Sequence, residues 1–245
     1  MDSARIAALL EPFLEAPLSP VQLDQISTYI DLLLHWNARI NLTAIRDPEQ
    51  IAPRHFGESF FLARYLFPAE SNSETRVGAG VINSGEPTTP ARVIDLGSGA
   101  GFPALPIKIW APEIHLTLIE SNHKKAAFLR EIVRSLTLTK VDVIAERAGT
   151  VLARLPHSRH SGQKQESVLP QHQEGQLRPA DVVTFRAVEK FDKVLPLAAS
   201  FLAPHGHLAL LISSAQESRL SALPGPSWRI LNIPQSHSKI LAISE

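Results

Sequence analysis

The chain has 245 residues, contains no cysteine, and carries 24 basic and 24 acidic residues. The absence of cysteine excludes disulfide scaffolds, thiolate zinc sites and cysteine nucleophiles. A net charge of zero gives no overall electrostatic signature of nucleic-acid binding, so any contact with RNA or DNA must come from a local basic patch.

The first third of the sequence is predicted to be helical. One helix should begin at Ser19, because a capping serine is followed by proline at the first helical position and by a glutamine that can complete a capping box. Four apolar residues then recur at helical spacing: Ile26, Tyr29, Ile30 and Leu33. A second helix is predicted from Asp47 to about Leu66, and Pro53 should bend or split it. We expect residues 1–67 to form a helical extension packed on the core.

Two polar segments interrupt the ordered pattern. Residues 68–91 are rich in Ser, Asn, Gly, Pro, Thr and Glu, and residues 156–179 are rich in His, Gln, Ser and Pro. Such segments hold too few apolar residues to build a packed structure. Both are predicted to be flexible insertions between ordered elements.

Residues 92–245 alternate between strand and helix patterns. Strands are predicted at 92–96, 115–120, 141–145, 181–185 and 206–212, and helices at 122–138 and 191–202. This alternation indicates a parallel sheet with crossover helices. Two short apolar runs within 228–243 could form a hairpin that closes one edge. The predicted fold is therefore α/β and Rossmann-like, with helices on both faces of the sheet.

A glycine-rich turn follows the first strand of this region. Asp95 ends the strand pattern, and Gly97, Gly99 and Gly101 follow at alternate positions before Phe102. Glycines in such a turn allow a ligand to approach the backbone closely. The dinucleotide pattern G-x-G-x-x-G is not met, because Phe102 stands where its last glycine belongs. An aspartate just before the first glycine is typical of S-adenosylmethionine sites.

Glu120 ends the second predicted strand. An acidic residue at this position of a Rossmann-like sheet accepts hydrogen bonds from the hydroxyl groups of a ribose. The same carboxylate could instead cap a helix or face solvent. The glycine turn upstream favours the ribose role.

Several separated motifs together resemble a known family, the bacterial small-subunit rRNA guanine-N7 methyltransferases (RsmG, glucose-inhibited division protein B). The resemblance covers about residues 21–66 and 92–213. Two motifs lie in the predicted extension: Trp36-Asn37-x-x-Ile40-Asn41-Leu42-Thr43 with Arg46, and Arg54-His55-Phe56 with Ser59. The others follow the strands: Asp95 to Pro103, Glu120-Ser121 with Lys124-Lys125, Arg147-Ala148, and Arg186-Ala187.

The resemblance implies a class I methyltransferase fold and S-adenosylmethionine as cofactor. It implies methyl transfer to guanine N7 in 16S rRNA, either free or within a small ribosomal subunit particle. The cofactor positions that it assigns are Gly97, Phe102, Glu120, Ser121, Asn122, Ala148, Gly149 and Arg186.

Four basic residues are candidates for contact with RNA: Arg46, Arg54, Lys124 and Lys125. Surface arginines with local partners, and a solvated helix start at the two lysines, are the structural alternatives. His55 is expected to form a structural hydrogen bond, and Trp36 is expected to belong to the core.

The sequence departs from the family pattern at four places. Ala104 stands where a glycine is usual, and Glu58 stands where an aspartate is usual near the Arg-His motif. Gly149 stands where glutamate is frequent, which leaves only a backbone contact there. Ile212-Ser213 replaces a Lys-Gly pair after the fifth strand, which removes one expected contact with RNA or substrate.

Methylation at guanine N7 needs no proton transfer, because N7 offers a lone pair and carries no hydrogen. We therefore expect no catalytic acid or base and no metal site, and a mechanism based on positioning. An NAD-dependent oxidoreductase and a non-catalytic RNA-binding or ribosome-assembly factor are the alternatives. With no signal peptide and no apolar run long enough to span a membrane, we expect a cytoplasmic monomer without membrane contact.

Overall fold

The computed structural model describes residues 1–68, 90–155, 177–186, 190–221 and 226–245. Nearly all of the predicted insertions, 68–91 and 156–179, lies outside these ranges, so their predicted flexibility stays a prediction. Ala187, the second residue of the Arg-Ala motif, also lies outside them.

The extension contains four α-helices: α1 (Ser3–Leu10), α2 (Pro20–Ile40), α3 (Pro48–Ile51) and α4 (Glu58–Leu66). The predicted start of α2 is confirmed, because the Ser19 side chain accepts from the Gln22 N–H while the Gln22 side chain accepts from the Ser19 N–H. The single helix predicted from residue 47 to 66 is divided by a π-helical turn, Ala52–Gly57. Pro53 lies in this turn and lacks the N–H that a regular helix would use.

The remainder is an alternating α/β unit. Its strands are β1 (Arg92–Leu96), β2 (His115–Ile119), β3 (Val141–Ile144), β4 (Ala180–Arg186), β5 (Leu202–Ser213), β6 (Trp228–Asn232) and β7 (Lys239–Ser244). Its helices are α5 (Ala104–Trp110), α6 (His123–Ser135), α7 (Ala148–Leu152), α8 (Phe191–Ala199) and α9 (Glu217–Ser221). The predicted strands agree closely, except that β5 begins at Leu202.

The seven strands form one sheet in the order β3-β2-β1-β4-β5-β7-β6. The first five are parallel, and β7 runs antiparallel to both β5 and β6. The parallel sheet and the closing hairpin predicted from the sequence are therefore confirmed. Because the five parallel strands all end at one edge, the loops that follow them gather there.

The two faces of the sheet pack against different helices. Side chains of the extension form one continuous core with α5, α6 and one sheet face, which includes Val93, Leu118 and Val182. The other face packs mainly on α7 and α8. Side chains two residues apart on a strand share a face. Asp95 and Thr184 share a face with Val93 and Val182, so these two polar residues lie beneath the extension, near the carboxyl edge.

Among the described helices, none is both long and apolar enough to cross a membrane. The histidine, aspartate and glutamate side chains of the described ranges form no group of three or more that could hold a metal ion.

Candidate active site

The glycine turn leaves β1 at the carboxyl edge with unusual backbone angles. Gly97, Gly99 and Gly101 have φ values of 68°, 53° and 87°, in the left-handed region that favours glycine. A Cβ atom at Gly97 would meet nothing within 4 Å, whereas one at Gly101 would lie 2.3 Å from the Tyr29 hydroxyl and 2.5 Å from Leu105. Gly97 therefore borders open space, and Gly101 is needed for packing against the extension.

Glu120 connects the glycine turn to the loop after β2. Its Oε2 accepts from the Gly99 N–H at 2.9 Å, and its Oε1 accepts from the Asn122 N–H at 2.7 Å. The carboxylate is buried, with 7% of its surface exposed. It fixes the relative position of the two loops, and a carboxylate has further lone pairs with which to accept from a ligand.

Asp95 and Thr184 are buried polar residues without partners. They are paired in register on β1 and β4, on the face covered by the extension. Both are fully buried, and neither the Asp95 carboxylate oxygens nor the Thr184 hydroxyl has a hydrogen-bond partner in the described structure. Burial raises the pKa of Asp95 to about 7, and the nearby Ser98 hydroxyl offsets part of this rise although it lies outside hydrogen-bond geometry with the carboxylate. An unpaired buried carboxylate is costly, and a cationic ligand would offset that cost.

Phe102 is held between two rings of the extension. The His55 ring stacks on it at 4.6 Å between centroids, and the Tyr29 ring stacks on it at 5.2 Å. The Tyr29 hydroxyl also donates to the Ala100 carbonyl at 2.5 Å. The extension therefore contacts both the side chain and the backbone of the glycine turn.

Hydrogen bonds of the Asn37 side chain hold the loop that contacts His55, the residue stacked on Phe102. Its side-chain carbonyl accepts from the N–H groups of Leu42 and Thr43 at 2.6 and 2.9 Å, and its amide donates to the Thr43 carbonyl at 2.8 Å. The Thr43 hydroxyl then lies 2.8 Å from His55 Nε2. This agrees with the predicted structural hydrogen bond of His55. Burial, with the positive charges of Arg186 and Lys239, lowers the pKa of His55 to about 3, so the ring is neutral at physiological pH.

Arg186, at the end of β4, points into the same region. Its Nη2 donates to the Arg54 carbonyl at 2.8 Å and lies 2.8 Å from Glu58 Oε2, while its buried Nη1 has no partner within the described part of the chain. Glu58 also accepts from Lys239 Nζ, at 2.9 Å on each oxygen. Glu58, which stands where the family usually has an aspartate, therefore still provides a carboxylate, and this carboxylate contacts two cations.

The predicted cofactor residues gather at the carboxyl edge. Gly97, Phe102, Glu120 and Arg186 lie at the ends of β1, β2 and β4. Ser121 and Asn122 follow β2, where the Asn122 side chain caps α6 by accepting from the N–H groups of its first turn. Ala148 and Gly149 begin α7 directly after β3, where the first N–H groups of a helix have no partner within it.

The predicted RNA residues lie at different distances from this edge. Arg54 is exposed, and its charge lowers the pKa values of His55 and Arg186, which places it beside the site. Lys124 and Lys125 occupy the first turn of α6 next to the Glu120 loop. Arg46 is exposed and follows the loop that Asn37 holds.

Two residues that depart from the family pattern, Ala104 and Ser213, lie at the ends of secondary-structure elements. Ala104 is the first residue of α5 and is fully buried. Ser213 ends β5 and forms a capping box with Gln216, so it serves the helical turn that follows. Trp36, expected in the core, is half-buried and packs edge-on against Phe128 at 5.7 Å.

Sequence reasoning missed three residues of this site. Tyr29 was predicted only as part of an apolar face, and Thr184 only as part of a strand. Lys239 was not singled out, because it pairs with Glu58 across 181 residues of sequence. No local pattern signals such a pair.

The strand order and the glycine turn at its carboxyl edge define a class I, Rossmann-like methyltransferase fold. The sequence profile of the family described as "GidB: rRNA small subunit methyltransferase G" matches residues 22–85 and 81–225. The chain belongs to this family.

Individual relatives named "Ribosomal RNA small subunit methyltransferase G" agree with this assignment. The protein from Chloroflexus aggregans is 44% identical over 135 residues, which is 55% of this chain and 48% of the relative. The protein from Roseiflexus castenholzii is 40% identical, over 76% of this chain and 65% of its own length. The protein from Xylella fastidiosa strain M23 is 29% identical, over 93% and 88%. The matched segment thus spans about half and two thirds of the first two relatives.

Proposed function

We propose that this protein transfers a methyl group from S-adenosylmethionine to guanine N7 in small-subunit ribosomal RNA. The observation that carries the proposal is the fully buried Asp95 carboxylate, which has no hydrogen-bond partner among the described residues and precedes a glycine turn that borders open space at Gly97. A buried anion of this kind fits a ligand that brings a positive charge. Membership of the rRNA methyltransferase family supports the choice of cofactor and substrate.

The polar groups of the carboxyl edge fit the parts of S-adenosylmethionine. Asp95 would accept from the ammonium group of the methionine moiety, and Glu120 from the ribose hydroxyls. The backbone at Ala148 and Gly149 would meet the adenine, with Ser121 and Asn122 on the loop beside the ribose. Gly97 would leave room for the ligand, and Phe102 would line the turn. Arg186 would bind a negatively charged or acceptor group at the methionine end.

The cofactor supplies an electrophilic methyl group on a sulfonium. The protein is left with the tasks of aligning the guanine, excluding water and avoiding unfavourable charge. N7 carries no proton, so no base is needed. A low pKa keeps His55 uncharged, which limits the positive charge beside a base that itself becomes positive.

The RNA would approach from the side of the extension. Arg54 lies beside the site, Arg46 is exposed on the neighbouring loop, and Lys124 and Lys125 begin α6 at the other side of the glycine turn. Phosphate contacts from such residues position RNA without reading its sequence. We further propose that the substrate is 16S rRNA or a small ribosomal subunit particle, bound by a monomer in the cytoplasm.

A methyl-transfer assay tests the proposal. Labelled S-adenosylmethionine is incubated with undermethylated small subunits, or with free rRNA, and the product nucleosides are identified by mass spectrometry. We expect N7-methylguanine, and we expect Gly97→Val to remove both cofactor binding and transfer because its side chain fills the open space at this turn.

Circular dichroism and thermal unfolding show whether the variant is folded, and Asp95→Asn serves if it is not. Cofactor binding without transfer to any ribosomal substrate would contradict the proposed reaction and favour a non-catalytic RNA-binding role. Binding of a nicotinamide cofactor instead would revive the oxidoreductase alternative.

A further inference from the structure

One buried carboxylate, that of Glu58, is shared by two cations from the second half of the chain, Arg186 and Lys239. Glu58 lies at the start of α4, and only 4% of its side chain is exposed. Lys239, the first residue of β7, contacts both of its oxygens at 2.9 Å. The nearest approach of Arg186 to this carboxylate is from Nη2 to Oε2, at 2.8 Å. The carboxylate therefore carries one more positive partner than its charge requires.

The pairing of Arg186 with Glu58 differs from the usual geometry. Arginine and carboxylate frequently form two parallel hydrogen bonds, with one guanidinium nitrogen on each oxygen. Here Lys239 donates to both oxygens, whereas Nη2 of Arg186 makes an ion-pair contact with Oε2 and donates its hydrogen bond to the Arg54 carbonyl. Lys239 thus donates to both of the oxygens that an arginine fork would use.

This geometry leaves a charged donor unused inside the protein. Arg186 Nη1 is buried and has no partner among the described residues. Leaving a buried charged donor unsatisfied costs more than leaving a neutral one. The nitrogen lies at the carboxyl edge of β4, on the face that also holds Thr184 and, on β1, Asp95. A ligand bound at this edge can supply the missing acceptor.

We propose that Lys239 is a positioning residue, which keeps Arg186 from forming a two-bond fork with Glu58 so that Nη1 is free to bind the carboxylate of the cofactor. This inference rests on the proposed function. Asp95 would accept from the ammonium group of the same methionine moiety, so the two charged groups on its α-carbon each meet a residue of opposite charge. The guanine is a poor partner for Arg186, because positive charge beside it opposes the charge that it gains during transfer.

The inference predicts what happens when Lys239 is replaced. In Lys239→Met, both oxygens of Glu58 become available, and Arg186 turns to form the two-bond fork. The buried carboxylate stays paired, so the fold is retained. The donors of Arg186 are then consumed within the protein, and the cofactor carboxylate loses its partner. In Lys239→Arg, a guanidinium again covers both oxygens, so Nη1 of Arg186 stays free.

The test compares two ligands that differ only at the carboxylate. Calorimetry measures the binding of S-adenosylmethionine and of decarboxylated S-adenosylmethionine to the wild type, Lys239→Met, Lys239→Arg and Lys140→Met. The last variant is a matched control, because Lys140 forms a 2.7 Å pair with Glu113 at the amino end of β3, away from the site.

The wild type should prefer the carboxylate-bearing ligand by about 10- to 100-fold, as for one charged hydrogen bond. Lys239→Met should lose most of this preference, with little change in affinity for the decarboxylated ligand. Lys239→Arg and Lys140→Met should keep the preference. Lys239→Gln replaces Lys239→Met if the methionine variant does not fold.

The outcomes separate this inference from the proposed function. A wild-type preference retained in Lys239→Met would overturn the positioning role while leaving the methyltransferase proposal intact. An equal loss of affinity for both ligands would show that Lys239 acts on the whole fold, which also overturns the inference. If the wild type binds neither ligand, the proposed cofactor itself is wrong.

Discussion

The two faces of the sheet differ in what they carry at the carboxyl edge. Both faces are apolar along the middle of the strands. The face on α7 and α8 remains apolar toward the edge, with Leu96, Ile119 and Phe185 buried near the strand ends. The face beneath the extension changes instead to buried polar residues, including Asp95 and Thr184.

This difference is what the proposed function requires, with one face of the sheet serving stability and the other also holding the cofactor. Buried polar groups without partners destabilise a fold, so they persist where a function requires them. Among the described residues, the buried polar groups of the sheet that lack partners all lie on the face that the extension covers. The extension is therefore part of the site, because Tyr29, His55 and Glu58 contact the glycine turn and Arg186.

The largest expected effect comes from breaking the contact between the extension and the glycine turn. Gly101→Ala places a Cβ 2.3 Å from the Tyr29 hydroxyl at a φ of 87°. We expect a loss of about 2–5 kcal/mol in the free energy of unfolding, from overpacking plus left-handed strain. Urea denaturation measures it.

Gly97→Ala is the matched control for that prediction. It has a similar φ but an open surrounding, so only the strain of about 1–2 kcal/mol should appear. Equal losses in the two variants would mean that Tyr29 does not pack against the turn as described.

A second test concerns the cost of the unpaired carboxylate. The pKa of Asp95 is raised to about 7 by burial, whereas an unfolded aspartate titrates near 3.9. The folded state thus holds this proton more tightly. The contribution of Asp95 to stability is present in full below about pH 4 and is lost as the pH rises through about 7.

Asp95→Asn should remove this slope and stabilise the cofactor-free protein by a few kcal/mol at pH 8, while weakening cofactor binding. Thermal unfolding from pH 5 to 8, with and without cofactor, measures both effects. A variant that is less stable than the wild type at pH 8 would show that Asp95 has a partner in the folded protein.

A smaller effect is expected from a single hydroxyl group. Tyr29→Phe keeps the ring stacked on Phe102 but removes the donor to the Ala100 carbonyl. Leaving that carbonyl unpaired should cost about 1–3 kcal/mol in urea denaturation. Tyr65→Phe is the control, since its hydroxyl has only a 3.4 Å contact from Arg64. No difference between the two variants would argue against the hydroxyl bond as a link between the regions.

The smallest effect on stability should come from the exposed arginines of the extension. The double variant Arg46→Ala and Arg54→Ala should change the free energy of unfolding by about 0.5 kcal/mol or less per site. Methyl transfer to ribosomal particles should fall and lose part of its salt dependence, because phosphate contacts release counterions. Affinity for S-adenosylmethionine should persist.

Arg134→Ala with Arg229→Ala is the matched double variant, since both arginines are paired with acids elsewhere on the surface. Full transfer activity in the first double variant would exclude the extension as the RNA-facing wall.

Much of the fold was predictable from local patterns. Each parallel strand is a short apolar run followed by turn residues, and the capping box at Ser19 is a local hydrogen-bond pattern. The glycine turn was equally visible, because only glycine adopts these angles without strain. The π-helical turn at Ala52–Gly57 was not predicted, because Pro53 signals only that the helix must change and not how.

The sequence by itself determined the strands, the glycine turn and the family, since these depend on residues that are close together in the chain. Only the tertiary structure decided which side chains share a buried environment. Sheet order brings β4 beside β1, and β7 brings Lys239 to Glu58 across 181 residues. Burial then turns an ordinary aspartate into an unpaired carboxylate, and an ordinary histidine into a neutral ring. Burial makes the largest contribution to both pKa shifts, and charges that folding brings from distant parts of the chain add to that of His55.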